Sequence, residues 1–244
     1  LLRARYGKKL VNHNTYVIAG DGCLMEGVSQ EAISLAGRHD LGKLILFWDN
    51  NNITIDGRVG LVDRTNQVMR FKASGWQVLE VDGHNPIEID EAIERAKKSK
   101  KPTMISCKTH IAFGSSAQHT SKGHGALTEP DLISATRKNY NWVSGPFEIP
   151  DNIESAWKEI GKRGLVERDA WINRLKSVSR NRQKEFERVH ALEPANKIKS
   201  AVLKLKKEVS KIAPTVATRK SSEMALNVIN PIAPETFGGS ADLS

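Results

Sequence analysis

Strand-like apolar runs alternate with helix-like segments through the first half of the chain. The runs are Tyr16–Ala19, Leu44–Trp48, Trp76–Val81 and Thr103–Lys108. Two of the segments between them have apolar residues at helical spacing. They are the stretch with Leu24, Val28, Leu35 and Ala36, and the stretch Pro86–Lys98. Because strand–helix–strand crossovers build parallel sheets, this succession predicts an α/β fold with a doubly wound parallel sheet.

The pattern changes after residue 150, where helical spacing continues without strand-like runs. The predicted helices are Ile153–Lys162, Arg168–Leu192 and Ala195–Ile212, separated at Gly164 and Pro194. We therefore expect residues 1–150 to form the sheet domain and residues 151–217 to be a helical connector that packs on it. Residues 218–244 open with one more predicted helix.

Polar residues follow the first two strand-like runs directly. Gly20-Asp21-Gly22 comes after the first run, and Asp49-Asn50-Asn51 comes after the second. Parallel strands end at one edge of a sheet, where open α/β sheets bind ligands, so Asp21 and Asn51 are expected to meet there. Carboxylate and amide oxygens suit Mg²⁺ or Ca²⁺, and Mg²⁺ usually shares its coordination with phosphate oxygens. The two glycines let the backbone turn sharply beside a bulky anion.

This reasoning predicts a metal–diphosphate site, against the alternative that Gly20–Gly22 is an ordinary turn and Asn50–Asn52 an ordinary loop. The net charge of +9 and the pI of about 9.5 bear little on the choice. Lys and Arg concentrate after residue 155, where we expect them to lie on solvent-exposed faces of helices. No motif supports nucleic-acid recognition, and no apolar run reaches membrane-spanning length. Two isolated cysteines suit a reducing, cytoplasmic location.

Longer stretches of the sequence resemble a known family. Gly-Asp-Gly followed about thirty residues later by an Asn pair resembles the signature of the thiamine-diphosphate-binding fold. The helix text Cys23–Ala32 and Ser34–Gly37 resembles transketolase of the bacterial type. Deoxyxylulose-phosphate synthase and pyruvate dehydrogenase share the first signature but not that helix text. Phe113–Ser115 and His124–Leu127 also resemble transketolase.

The resemblance implies three groups of site residues. Metal ligands would be Asp21, Asn51 and the backbone carbonyl of Ile53, holding Mg²⁺, with Ca²⁺ or Mn²⁺ as substitutes. Contacts to thiamine diphosphate would come from Gly22, Glu26, Asn51, His124 and Asp242. Sugar-phosphate contacts would come from His124, which is also the implied catalytic residue, and from Arg219. Glu26 is further implied as a link to a second subunit.

The implied activity is transfer of a two-carbon unit from a ketose phosphate to an aldose phosphate in the pentose phosphate pathway. The resemblance also implies a homodimer with its active site between subunits, and a cytoplasmic enzyme. It covers only the middle of a transketolase. Residues 218–244 resemble the start of the family's pyrimidine-binding domain, here truncated, so we expect this chain to be inactive alone. Two alternatives stay open: another thiamine-diphosphate enzyme, such as a 2-oxo-acid dehydrogenase or deoxyxylulose-phosphate synthase, and a non-catalytic interaction module that retains the fold.

Three positions depart from the family text. Asn50 stands where the family usually has Asp, Ala112 where it has Gly, and Leu127 where it has Pro. None of them removes an implied ligand, but they put the loop shape, and with it the sugar preference, in question. His110 and His119 match no family motif and are interpreted as solvent-facing or structural residues.

Overall fold

The computed structural model describes residues 1–239. Its strands are β1 Thr15–Gly20, β2 Leu44–Asn50, β3 Ile53–Thr54, β4 Gly57–Arg58, β5 Gln77–Asp82 and β6 Thr103–Lys108. Its helices are α1 Leu2–Tyr6, α2 Asp21–Met25, α3 Gly27–Arg38, α4 Gln67–Ala73, α5 Pro86–Lys98, α6 Pro130–Asn139, α7 Asp151–Lys176, α8 Arg180–His190, α9 Ile198–Ile212 and α10 Thr218–Ile229. Short 3₁₀ turns lie at Val59–Leu61 and Ser121–His124.

Four strands form a parallel sheet in the order β1-β2-β6-β5, and β3 and β4 form a separate antiparallel pair. The register places Gly20 opposite Asp49, and Asp49 opposite Cys107. The carboxyl ends of β1, β2 and β6 therefore lie level at one edge of the sheet. This topology confirms the predicted doubly wound α/β fold.

Hydrophobic clusters cover both faces of the sheet, as a doubly wound fold requires. On one face Trp48 and Met104 pack with residues of α2, α3 and α4, including the fully buried Phe71. On the other face Ile45 and Ile105 pack with the small residues of α5. Neighbouring positions of one strand therefore serve opposite faces. Accordingly, residues 44–48 of β2 form a continuous apolar run, and every residue of β6 except Lys108 is buried.

The helix predicted after Gly22 is interrupted. Glu26 has an extended backbone, with φ −68° and ψ 137°, and it separates α2 from α3. The break resets the helical phase, so the predicted apolar face is wrong in two of its four residues. Val28 and Leu35 are 73% and 54% exposed, whereas Ile33, which that face did not include, is buried.

The helical half also differs from the expectation in one place. Gly164 does not end a helix, because α7 runs without interruption from Asp151 to Lys176. A glycine inside a helix costs only about 1 kcal/mol relative to alanine, which a helix of this length tolerates. The break comes instead at Ser177–Ser179, where the Ser177 hydroxyl donates to the Arg174 carbonyl at 2.7 Å. The predicted break at Pro194 is confirmed, since it falls between α8 and α9.

The described residues group into two compact units. One is Asn12–Trp157, which contains the sheet, and the other combines Leu1–Val11 with the described residues from Lys158 onward. In the second unit Tyr6 packs edge-on against Phe186, with ring centroids 5.0 Å apart. The guanidinium of Arg188 donates to both carboxylate oxygens of Glu235 at 2.9 Å. That ion pair lowers the pKa of Glu235 to about 2.

Within residues 1–239, no helix combines the length and the apolar character needed to cross a membrane. Both cysteines are free: Cys23 is exposed and Cys107 is buried in the sheet. Burial raises the pKa of the Cys107 thiol, so this thiol is disfavoured as a thiolate nucleophile.

Candidate metal and diphosphate site

Asp21 and the loop after β2 meet at the carboxyl edge of the sheet. Asp21 begins α2 directly after β1, and its side chain is buried. One carboxylate oxygen accepts a hydrogen bond from the Trp48 indole Nε1–H at 3.0 Å. The other accepts from the backbone N–H of Asn52 at 2.9 Å, across 31 residues of sequence. The predicted meeting of the two strand ends therefore occurs.

The electrostatics of Asp21 favour a bound cation. Burial raises the pKa of this carboxyl, and the nearby Asp49 charge raises it further. The hydrogen bonds from Trp48 and Asn52 and the charge of Lys108 act in the opposite direction. The two oxygens of a carboxylate offer about four lone-pair sites, and the hydrogen bonds from Trp48 and Asn52 occupy two of them. The remaining lone pairs and the cost of the buried charge both fit a cation ligand.

Asn51 is held at both ends of its side-chain amide. Its Oδ1 accepts from the backbone N–H of Ile53 at 3.0 Å, and its Nδ2 donates to Asp49 Oδ2 at 3.2 Å. Asn52 adopts a left-handed conformation, with φ 63°, which asparagine tolerates better than most residues. That turn leads the chain at once into β3, so Ile53 follows the amide of Asn51 closely.

Gly20 and Gly22 contribute open space at this edge and not an unusual backbone conformation. Neither Gly20 nor Gly22 has a positive φ, and Gly20 is extended, with φ −87° and ψ 179°. The chain passes directly from β1 into α2 here, but the turn does not use a backbone conformation that only glycine favours. A Cβ added at either position would meet no atom within 4 Å. Open space beside both backbones is what the close approach of a diphosphate needs.

His124 lies near the same edge. It ends the 3₁₀ turn Ser121–His124, and this turn lies against β3, the strand that begins with Ile53. The His124 side chain is exposed. The fold thus brings His124 to the side of the sheet that carries Asn51 and Ile53.

His110 and His119 belong to an aromatic cluster with His84 and Phe113. The rings of His84 and Phe113 stack at 4.3 Å between centroids, and His110 and His119 meet edge-on at 4.3 Å. His84 Nε2 also accepts the backbone N–H of His110 at 3.0 Å. These contacts anchor the start of the loop that carries His124. Among the described residues, no group of three or more His, Cys, Asp or Glu side chains is arranged to hold a metal.

The family departures occupy three different environments. The side-chain amide of Asn50 donates to the hydroxyl of the buried Ser106 at 3.2 Å, so it links strands β2 and β6. Leu127 lines a cavity of about 270 Å³ together with Tyr140 and Trp142. Ala112 has a left-handed backbone, with φ 50°, at the position where the family usually has glycine.

Ala112→Gly is expected to stabilise the protein by about 0.5–1 kcal/mol. A left-handed backbone costs an L-residue roughly 1–2 kcal/mol, and the added chain entropy of glycine offsets about half of that gain. Urea denaturation measures the difference. Ala126→Gly is the matched control, because Ala126 is exposed in the same loop and lies outside the left-handed region. The control is expected to lose stability, and equal losses in both variants would contradict the prediction.

Three further residues implied by the resemblance are Glu26, Arg219 and Asp242. Glu26 is exposed at the junction of α2 and α3. Arg219 is exposed in the first turn of α10 and belongs to the second compact unit. Asp242 lies outside the described residues. Sequence reasoning missed Trp48 and Thr109, because an indole in an apolar run and a threonine at a strand end give no local signal of a tertiary hydrogen bond.

Comparison with known proteins decides the family. Residues 2–196 match the family described as transketolase, thiamine diphosphate binding domain. The chain belongs to the transketolase family. It is 52% identical over 244 residues to the transketolase of Rhodobacter capsulatus, covering all of this chain and 36% of that protein. Its identity to the transketolase of Sinorhizobium medicae is 42% over 245 residues, covering 100% of this chain and 35% of that protein.

Solved transketolase structures share the fold. The transketolase of Leishmania mexicana superimposes with a TM-score of 0.82 at 34% identity, over 99% of this chain and 36% of the other. The transketolase of Campylobacter jejuni gives a TM-score of 0.81 at 35% identity. This chain therefore spans little more than a third of the length of the transketolases it matches, and it matches their thiamine-diphosphate-binding domain.

Proposed function

We propose that this chain supplies the metal and diphosphate half of a transketolase active site. The observation that carries the proposal is the hydrogen bond between the Asp21 carboxylate and the Asn52 backbone, which joins the two halves of the cofactor signature. In the whole enzyme, the activity would be transfer of a two-carbon unit from a ketose phosphate to an aldose phosphate. That reaction belongs to the pentose phosphate pathway.

The residues at the sheet edge fit a hard cation. Asp21, Asn51 and the carbonyl of Ile53 would hold Mg²⁺, or Ca²⁺ or Mn²⁺ in its place, since all three offer oxygen ligands. Two or more coordination positions would remain for diphosphate oxygens. Gly22 and Asn51 would contact the diphosphate, and the open space at Gly22 is compatible with that approach. Thiamine diphosphate, when bound, would supply the carbanion chemistry that protein side chains lack.

Sugar-phosphate binding would fall to cationic and imidazole groups. His124 is exposed beside β3, and it would contact the cofactor and donate or accept a proton at a substrate oxygen. Arg219 presents a planar guanidinium suited to a phosphate. Asp242, the remaining cofactor residue of the proposal, lies outside the described residues.

The proposal includes a homodimer in the cytoplasm, with Glu26 reaching the second subunit. The exposure of Glu26 at the junction of two helices leaves its carboxylate available for such a contact. A reducing compartment suits the two free cysteines. Neither nucleic acid nor a membrane is a proposed partner.

Calorimetric titration of thiamine diphosphate with and without Mg²⁺ tests the cofactor half of the proposal. The titration uses this chain and a chimera in which it replaces the matching segment of Rhodobacter capsulatus transketolase. Mg²⁺-dependent binding by the chimera, with turnover of a ketose phosphate, is the expected result. Acyl transfer from a 2-oxo acid would point to another thiamine-diphosphate enzyme. Absence of Mg²⁺-dependent binding in both proteins, with salt-sensitive binding of a polyanion, would point to a non-catalytic module.

A further inference from the structure

We propose that Asp49 and Thr109 are positioning residues, which fix the side-chain amide of Asn51 so that one lone pair of its oxygen stays available for the cation. The inference rests on the proposed function, because Asn51 is a cation ligand only there. Neither residue is among the ligands implied by the sequence. The orientation of the amide depends on which neighbouring atoms donate and which accept.

The amide of Asn51 has one orientation that satisfies its neighbours. Asp49 Oδ2 lies 3.2 Å from Nδ2 and, as a carboxylate oxygen, can only accept. The backbone N–H of Ile53 lies 3.0 Å from Oδ1 and can only donate. A flipped amide would set oxygen against carboxylate oxygen and NH₂ against N–H. Both contacts would be repulsive, so Oδ1 stays on the side of Ile53 with one lone pair unused.

Asp49 is itself held by the neighbouring strand. The Thr109 hydroxyl donates to Asp49 Oδ1, leaving Oδ2 to accept from Asn51. Thr109 in turn is fixed by its backbone, since its N–H donates to the Asn50 carbonyl at 3.3 Å and extends the ladder between β2 and β6. The chain of contacts therefore runs from a rigid sheet edge through a carboxylate to the proposed ligand.

The adjacent Asn50 provides an internal comparison. Its amide donates to the Ser106 hydroxyl, which can both donate and accept, so nothing of this kind fixes its orientation. A carboxylate beside Asn51 also carries a charge close to Asp21, which a purely structural hydrogen bond would not require. Two carboxylates near one cation site are typical of divalent-metal binding.

Variants at Thr109 separate positioning from general stability. Thr109→Val removes the hydroxyl at nearly constant shape, Thr109→Ser retains it, and Asp49→Leu removes the acceptor of the Asn51 amide. We expect about tenfold weaker Mn²⁺ binding for Thr109→Val and more for Asp49→Leu, as outer-shell partners of metal ligands typically contribute 10–100-fold. Thr109→Ser is expected to stay within about twofold of the parent chain on the same ground. Mn²⁺ affinity is measured on the 244-residue chain by electron paramagnetic resonance. Ser106→Ala, which removes only the Asn50 contact, is the control and should leave the affinity unchanged.

A metal-free measurement tests the orientation of the Asn51 amide separately from the proposed function. The side-chain amide protons of Asn51 are assigned in nitrogen-15 spectra by their absence in Asn51→Asp. One of them is expected to exchange slowly in the parent and Thr109→Ser, and faster in Thr109→Val and Asp49→Leu. Unchanged exchange in both loss variants would overturn the inference. If the parent binds no Mn²⁺, the proposed function fails in this chain, while the exchange rates still decide whether Asp49 and Thr109 orient the amide.

Discussion

Asp21→Asn is expected to weaken Mg²⁺-dependent binding of thiamine diphosphate by about a hundredfold or more. Outer-shell partners alone contribute 10–100-fold to metal affinity, and the carboxylate proposed here is a direct ligand. The substitution keeps the size of the side chain and an oxygen that can accept from Trp48 or Asn52. Calorimetry with thiamine diphosphate, with and without Mg²⁺, measures the loss in the chimera with the Rhodobacter capsulatus enzyme.

The same variant should not unfold the metal-free protein. Burial raises the pKa of Asp21, so the folded state binds its proton more tightly than the unfolded state. Stability is then lost, not gained, as the pH rises from the unfolded pKa through the raised folded pKa. The neutral amide of asparagine does not suffer that loss. We therefore expect the stability of Asp21→Asn, relative to the parent protein, to be most favourable at neutral pH. Chemical denaturation at about pH 4, near the ordinary Asp pKa, and at about pH 7, well above it, measures the difference.

Asp82→Asn is the matched control for the cofactor measurement. Asp82 ends β5 at the same edge of the sheet, where its carboxylate accepts from the backbone of His84 at 2.9 Å. Among residues 1–239 its side chain forms no hydrogen bond with Asp21, Asp49 or Asn51, and its loss should leave cofactor binding nearly unchanged. Equal effects of both substitutions would mean that the edge carries only a general negative potential, and the assignment of Asp21 as a ligand would be wrong.

The sheet could be predicted from sequence because its signals are local. Helix α5 has the predicted bounds Pro86–Lys98, since the side chain of Asn85 caps its first turn and proline suits the position that follows the cap. Strand β6 also has its predicted bounds, Thr103–Lys108, since all but its last residue are buried on both faces. Turn-forming residues mark the boundaries of both elements, Asn85 before α5 and Pro102 before β6, so a local pattern fixes where they begin.

The contacts around the proposed ligands could not be predicted in this way. The indole of Trp48 bonds to a residue 27 positions away, and Thr109 bonds to a residue 60 positions away. Both depend on strand register, which no local pattern specifies. The break at Glu26 escaped detection for a related reason: a single extended residue changes the helical phase without a proline or glycine at that position. The pairing of Asp21 with the Asn51 loop was predictable because only the topology was needed.

Gly37→Ala is expected to cost about 3 kcal/mol or more, at the upper end of the range for overpacked sites. A Cβ at Gly37 would lie 1.7 Å from the carbonyl oxygen of Ser74 and 2.9 Å from its carbonyl carbon. The obstacle is backbone, in the turn that ends α4, so no side-chain rotation relieves it. Moving α3 away would also strain the bond from the Trp76 indole to the Ile33 carbonyl, which measures 2.9 Å. The midpoint temperature of thermal unfolding should fall by roughly 6–12 °C for a domain of this size.

Gly27→Ala separates this packing effect from the general difference between glycine and alanine. Gly27 begins α3, and a Cβ there would meet no atom within 4 Å. We expect that variant to gain up to about 1 kcal/mol, because alanine favours the helix over glycine. A small loss at Gly37 would show that α3 can shift on the sheet. A large loss of stability at Gly37 would give a physical reason for the glycine that ends the segment Ser34–Gly37. At that position the backbone of α3 lies directly against the backbone of the turn after α4.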